Sequence, residues 1–277
     1  MNKKLVLITG ATAGIGEAAA YAIAAQGHEL ILVGRNREKA ERVAGQMRTQ
    51  TCNQAIHYLL ADFSDLGQVC QLAEQVKTQF PKLDVLVNNA GAVFMRRNKT
   101  KYGVEKTFLV NHLAPFLLTS LLLEHLQEHA RIINVSSRSH LSGRIDFNDL
   151  NFDNFYFGTT AYGRSKLANV LFTYELVRRL RDKKITVNAL HPGRIGTDIF
   201  KADFSTLGPL IKWIVARVSL TPEAGADNTI FLATSAEVEG ITGKYFVKRE
   251  AVPSSTLSYD KDLAKRLWEV SEKLTAE

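Results

Sequence analysis

The chain has 277 residues, a length that one domain with one core can hold. With 45% apolar and 23% charged residues it is not disordered, and two isolated cysteines, Cys52 and Cys70, exclude a disulfide framework and a cysteine-rich zinc site. The net charge of +7 comes without any run of five like charges, which points to solubility and away from nucleic acid.

The chain opens Met1-Asn2-Lys3-Lys4 and passes straight into an apolar run at 5–8. That run is too short for a signal peptide or a membrane span, so a cytoplasmic location is expected. The N-x-[ST] sequons at Asn98 and Asn134 are read as chance matches on that ground. Strands are expected at 5–9, 29–33, 56–60, 85–88, 131–135, 185–190 and 245–247. All are continuous apolar runs, as strands buried on both faces require. Helical patterns at 16–27, 37–49, 65–79, 104–129 and 162–181 alternate with them. A further helix starts at Thr221-Pro222-Glu223, with Thr as cap and Pro at the first helical position. The alternation predicts a Rossmann-like, doubly wound parallel sheet of about seven strands with helices on both faces, in one domain spanning 1–277. In such sheets ligands bind beyond the carboxyl ends of the strands.

The first of those ends reads Thr9-Gly10-Ala11-Thr12-Ala13-Gly14-Ile15-Gly16. Glycines allow a tight turn and close approach of the backbone to a pyrophosphate at a helix N-terminus. The spacing, G-x-x-x-G-x-G, differs from the commoner G-x-G-x-x-G, and alone it is a weak signal. The second strand ends Val33-Gly34-Arg35-Asn36-Arg37, with no acid before Glu38. An acid there would hold the ribose 2′-OH of NAD, whereas Arg35 forks onto a 2′-phosphate, so NADP(H) is expected over NAD(H).

With Asp62, Asn88-Asn89-Ala90-Gly91, Asn111, Ser136-Ser137, Tyr162-Gly163-Arg164-Ser165-Lys166 and Pro192-Gly193 following in order, the chain resembles the short-chain dehydrogenase/reductase family over nearly its whole length. The runs 110–119 and 165–172, and Ala264-Lys265-Arg266-Leu267-Trp268, resemble its retinol dehydrogenase branch. The resemblance implies a nicotinamide cofactor held by Gly10, Thr12, Ala13, Gly14, Ile15, Gly16, Arg35, Asn36, Asp62, Phe63, Asn89, Ala90, Gly91, Tyr162, Lys166, Pro192, Gly193, Ile195 and Thr197. Within that set Asp62 would contact the adenine, Asn89 the ribose, and Thr197 the nicotinamide amide or a phosphate. It also implies a catalytic set of Asn111, Ser137, Tyr162 and Lys166.

Tyr162 and Lys166 are four apart and share a helix face. A free phenol ionises near pH 10, and a neighbouring ammonium favours the phenolate, so Lys166 is expected to lower the Tyr162 pKa; the resemblance implies that it also grips the nicotinamide ribose. Ser137 would hydrogen-bond the substrate oxygen, Asn111 would hold a water linking Lys166 to solvent, and Ser136 is read as structural. His125-Leu126-Gln127-Glu128-His129 matches an H-x-x-E-H zinc pattern, but no other part of the site would meet it, and no metal is expected. His191 reads as shaping the loop before Pro192.

Two segments exceed what the fold needs. Residues 138–161 carry Phe147, Phe152, Phe155, Tyr156 and Phe157. Residues 199–220 place Leu207, Leu210, Ile211, Ile214, Val215 and Val218 on one helical stripe beside Trp213. Both read as an apolar lid over a lipophilic carbonyl or alcohol, retinal-like in character. Packing on the protein's own core and peripheral membrane contact through Lys201, Lys212 and Arg217 stay open. A general carbonyl reductase, a hydroxysteroid-type dehydrogenase and a non-catalytic NADP(H)-binding sensor or scaffold are the other readings. Family members often form homodimers through the two long helices, here 104–129 and 162–181.

Overall fold

The structure, a computed structural model, describes residues 3–192 and 221–276. The lid segment 199–220 and the expected cofactor residues Gly193, Ile195 and Thr197 lie outside them. Among the described residues eight strands form one sheet: β1 (Leu5–Thr9), β2 (Glu29–Gly34), β3 (Ile56–Leu60), β4 (Leu83–Asn88), β5 (Leu126–Val135), β6 (Thr186–His191), β7 (Tyr245–Val247) and β8 (Glu250–Val252). Their order is β3-β2-β1-β4-β5-β6-β7-β8, parallel throughout except for β8, an antiparallel edge strand that the sequence pattern did not announce.

Alternation along each strand explains the unbroken apolar runs. Leu5 and Leu7 of β1 face one core while Val6 and Ile8 face the other, and Ile31 and Leu32 of β2 divide the same way. Helices α1 (Gly14–Ala25) and α2 (Arg37–Thr51) cover one face together with α7 (Pro222–Thr234). The other face carries α3 (Leu66–Gln79), α5 (Ala114–Leu122), α6 (Gly158–Arg179) and α8 (Lys261–Thr275). On that face Trp268 of α8 packs between Phe116 of α5 and Phe172 of α6, with ring centroids 4.9 and 5.8 Å away. The inner faces of the two helices that were expected to meet a partner subunit are thus lined by their own chain.

The single helix expected over 104–129 does not form. One turn, α4 (Lys106–Phe108), leads into a π-helical segment at Leu109–Leu113, where Ala114 N–H bonds the Leu109 carbonyl. Pro115 is the cause: it has no N–H to give the carbonyl of Asn111, four residues earlier, so regular α-helical bonding cannot pass that point. A 3-10 turn at Leu123–His125 ends the helical stretch, and Leu126 already pairs with Leu83. The H-x-x-E-H residues therefore share no helix face. His125 faces the Phe80 carbonyl, and Glu128, in β5, pairs with Lys184. The stretch Lys106–His125 is long and apolar enough to cross a membrane, but 78% of its most apolar window is buried in this fold, as expected of a core helix.

A buried polar chain ties β4 and β5 to this helical layer. Asn88 Nδ2 donates to Thr119 Oγ1 (2.9 Å) and Asn134 Oδ1 (2.8 Å), and Asn134 Nδ2 donates to Thr173 Oγ1 (2.9 Å). The sequon residue Asn134 is thus committed inside the sheet. Replacing it by Ala orphans one Asn88 donor and opens a small void. The Asn134→Ala variant should lose about 2–3 kcal/mol of stability in urea unfolding at an unchanged m-value.

Candidate active site

The site gathers at the carboxyl ends of β1 to β6, around the break in strand order where β1 is flanked by β2 and β4. Thr9 binds these two central strands together. Its Oγ1 accepts from the N–H groups of Asn89 (3.0 Å) and Ala90 (2.9 Å) and donates to the Val87 carbonyl (3.3 Å). Asn89 returns the contact, its Nδ2 donating to the Thr9 carbonyl at 2.8 Å.

The turn Gly10–Gly16 needs its glycines. Gly10 and Gly14 have φ of +67° and +57°, and a Cβ on Gly16 would run into the Asn89 amide and the Gly10 carbonyl. A Cβ on Gly34 would sit 2.6 Å from the Thr12 methyl, so β2 brings Arg35 tightly against this turn. Ala13, at the N-cap of α1, cannot cap with its side chain, whereas α2, α3, α7 and α8 are capped by Asn36, Asp65, Thr221 and Asp260. No side chain among the described residues caps the first N–H groups of α1, which face an incoming anion at the positive end of the helix dipole. Beside them lies a hollow of about 560 Å³ lined by Thr12, Ala13, Arg35, Asn36, Glu38, Lys39 and Arg42. Arg35 was legible in the sequence. Lys39 and Arg42 were missed, although their spacing of three places both on one face of α2.

Other expected cofactor residues have local duties. Asn36 Oδ1 accepts from Lys39 N–H at 2.8 Å. Asp62 Oδ1 closes a turn by accepting from the backbone N–H and hydroxyl of Ser64, each at 2.8 Å. The Phe63 ring belongs to the core. Asn111 holds the backbone of Ala92 from both sides: Oδ1 accepts from Ala92 N–H (2.8 Å), and Nδ2 donates to the Ala92 carbonyl (2.9 Å) and to Ser165 Oγ (3.0 Å). A Cβ on Gly91 would come within 3.2 Å of Asn111 Oδ1 and 3.4 Å of Lys166 Nζ. Pro192 is buried beyond β6, and His191 before it is buried and pushed down to about 4 by burial, hence neutral.

Tyr162 and Lys166 lie on α6, most of which is buried. Lys166 Nζ donates to the Val135 carbonyl (2.9 Å) and sits 5.5 Å from the centre of the Tyr162 ring. The turn after β5 (Arg138–Ser142) presses on this helix backbone to backbone. A Cβ on Gly143 would be 2.5 Å from the Gly163 carbonyl, and one on Gly163 would be 3.0 Å from the Ser139 carbonyl. This approach sets Ser137 against Tyr162, close enough for the serine to lower the phenol's pKa against the effect of burial. Ser136 is structural as expected, its Oγ donating to the Lys166 carbonyl at 2.8 Å.

Burial governs the electrostatics. It pushes the Tyr162 phenol up to about 12, opposed by the Ser137 hydrogen bond, and pushes Lys166 down to about 8. The expected lowering of Tyr162 by the ammonium is not seen: desolvation raises the phenol instead. At neutral pH the phenol holds its proton and the amine is still mostly charged.

Residues 4–208 match the sequence model of the short chain dehydrogenases. The chain belongs to this family. It is 39% identical to mouse retinol dehydrogenase 14, covering 98% of this chain and 86% of that protein. Human retinol dehydrogenase 13 is also 39% identical, with 98% and 84% covered, and human polyprenol dehydrogenase is 34% identical, with 98% and 85% covered. The resemblance to the retinol dehydrogenase branch thus runs over almost the whole chain. Among solved structures, a Mycobacterium paratuberculosis protein superposes with a TM-score of 0.79 at 31% identity, covering 99% of this chain and 93% of the other. A blue fluorescent protein from a metagenomic library, in complex with NADPH, gives 0.70 at 27%, with 91% and 99% covered. As a short chain dehydrogenase, the protein is an oxidoreductase of alcohol and carbonyl groups that uses a nicotinamide cofactor. The open N-terminus of α1, the packed glycine turn and the cationic hollow beyond β2 fit such a dinucleotide.

Because the turn at 138–143 meets α6 through two glycines, Gly143→Ala must displace backbone. It should cost about 10²-fold in kcat, a misplacement effect, while cofactor affinity measured by fluorescence titration holds.

Proposed function

We propose that the protein is an NADP(H)-dependent reductase of lipophilic aldehydes or ketones, cytoplasmic and retinal-like in its substrate class, with Tyr162 as proton donor. The observation that carries this reading is the buried Tyr162 phenol beside Ser137, one helical turn from the buried Lys166, whose Nζ lies 5.5 Å from the phenol ring. When bound, the nicotinamide supplies or accepts the hydride. Tyr162 gives its proton to the substrate oxygen as the carbonyl becomes an alcohol. Ser137 hydrogen-bonds that same oxygen and stabilises its growing charge. Lys166, charged below its pKa, supports the phenol electrostatically as the proton leaves and would hold the nicotinamide ribose. Asn111 fixes the Gly91–Ala92 backbone, while its own carbonyl, denied its α-helical partner by Pro115, is the group that would hold a water leading toward Lys166.

Two features favour NADP(H) and a lipophilic substrate. Arg35, Lys39 and Arg42 outnumber the single acid Glu38 in the hollow beyond β2. Of the five aromatics in 138–161, Phe152, Phe147 and Tyr156 turn inward, Phe152 lying under the Arg164 guanidinium at 3.6 Å. Phe155 and Phe157 stay exposed, packed edge to face at 4.5 Å, just before the first turn of the helix that carries Tyr162. Met95, also exposed, abuts Gly158 at that helix start. Together they offer an apolar rim.

NADPH oxidation against aldehydes and ketones, from short and polar to long and polyunsaturated, tests the reading, and turnover confined to small polar carbonyls would reject the lipophilic site. Tyr162→Phe should lower kcat by at least about 10²-fold with NADPH affinity retained, so an active variant rejects Tyr162 as donor. Arg35→Asp should raise KM for NADPH by about 2 kcal/mol, roughly 30-fold, and leave that for NADH little changed. Since kcat/KM reports the free enzyme, and Lys166 loses its charge as pH rises through about 8, kcat/KM for reduction should fall above about pH 8.

A further inference from the structure

We propose that His140 is a positioning residue that locks Ser137 in place opposite Tyr162. The inference rests on the roles given above to Ser137 and Tyr162, and its grounds are the hydrogen bonds of the His140 ring.

His140 lies in the turn after β5 and is buried. Its Nε2 is 3.0 Å from the backbone N–H of Ser255, a group that only donates, so Nε2 accepts. A neutral imidazole that accepts at Nε2 carries its proton on Nδ1. Nδ1 is 2.6 Å from the Ser137 carbonyl and donates to it. The same carbonyl takes the backbone N–H of His140 at 3.1 Å. The last peptide before the turn is therefore held by two donors from one residue. The Ser137 hydroxyl, which accepts from Ser139 N–H at 3.2 Å, projects from that fixed peptide toward Tyr162.

The other side of the ring is anchored in the segment after β8. His140 packs against the Tyr245 ring with centroids 4.6 Å apart. Ser254, next to the donor Ser255, bonds Tyr174 of α6 (2.7 Å) and Ser258 (2.6 Å) through its hydroxyl, and its N–H donates to Tyr259 (3.1 Å). Burial keeps the ring neutral. A proton added to Nε2 would point at the Ser255 N–H, so only the neutral ring satisfies both contacts. Its ring nitrogens are both committed to backbone groups, so His140 acts through Ser137.

The two ring nitrogens can be tested apart. The Asn amide nitrogen reproduces Nδ1, so His140→Asn keeps the donor to Ser137 and drops the tie to Ser255. The terminal amide of Gln reproduces Nε2, so His140→Gln keeps the tie and drops the donor. With the nicotinamide cofactor and carbonyl that the wild type turns over, kcat should stay near wild type in His140→Asn and fall about 10²-fold in His140→Gln and His140→Ala. Cofactor affinity should not change in any of the three. Equal activity of Asn and Gln variants, retention by Gln and loss by Asn, an unimpaired Ala variant, or loss of cofactor affinity in step with kcat each overturn the proposal. Should the Ala variant fail to fold, the Asn and Gln pair decides. Independently of turnover, long-range ¹⁵N–¹H spectra of the wild-type protein at neutral pH should show the His140 proton on Nδ1, and a proton on Nε2 overturns the proposal. A wild type inactive on every carbonyl overturns the reductase reading and this inference with it, whereas an active wild type with indifferent variants removes this inference alone.

Discussion

The site depends on one close approach. The turn after β5 lies on α6 with almost nothing between the two backbones, because Gly143 and Gly163 carry no side chains where they meet. Side-chain atoms at either position would push the turn outward and carry Ser137 away from Tyr162. The surrounding bonds reinforce the same contact: Ser136 on the Lys166 carbonyl, Lys166 on the Val135 carbonyl, Arg164 on the carbonyls of Arg144 and Asp149. The end of β5 and the middle of α6 are thus fastened at several points around a phenol that burial holds in its protonated form.

Burial sets the chemistry of the two titrating groups more than their attraction does. A tyrosine four residues from a lysine reads, on a helix, as a phenol poised to lose its proton. Inside a helix packed on nearly every side, desolvation raises the phenol and lowers the amine, so both are driven toward neutrality. A phenol in that state is a proton donor first. Its ionisation would await additional positive charge in the crevice.

Much of the architecture was readable because strands buried on both faces write continuous apolar runs, and because each functional cluster follows such a run. The glycine turn, Arg35, Asn89–Gly91 and Ser137 each stand after such a run, whereas Tyr162 and Lys166 were read from their spacing of four on a helix and from the family resemblance. Other features were hidden for physical reasons. Gln127, Glu128 and His129 at the head of β5 are exposed and polar, so they continued an apparent helix where the chain is already a strand. The π segment depended on noticing that Pro115 stands four residues after Asn111. β8 is three residues at a sheet edge, too short to leave a pattern. His140 was not read from the sequence at all, since its meaning comes from Ser255, 115 residues away. The aromatics of 138–161 could not be divided into inward and outward sets from spacing alone, because Phe152 takes a positive φ that breaks any periodicity.

The C-terminal helix has a consequence for how the enzyme behaves at low abundance. Trp268, Leu267 and Ala264 close the face of α5 and α6 from within the same chain, and Ser271 reaches His112, beside Asn111, at 2.9 Å. The reacting helix is thereby supported by an intramolecular contact, whose strength does not vary with concentration. Dilution removes none of this packing, so these helices would stay covered in a cell holding only a few copies of the protein.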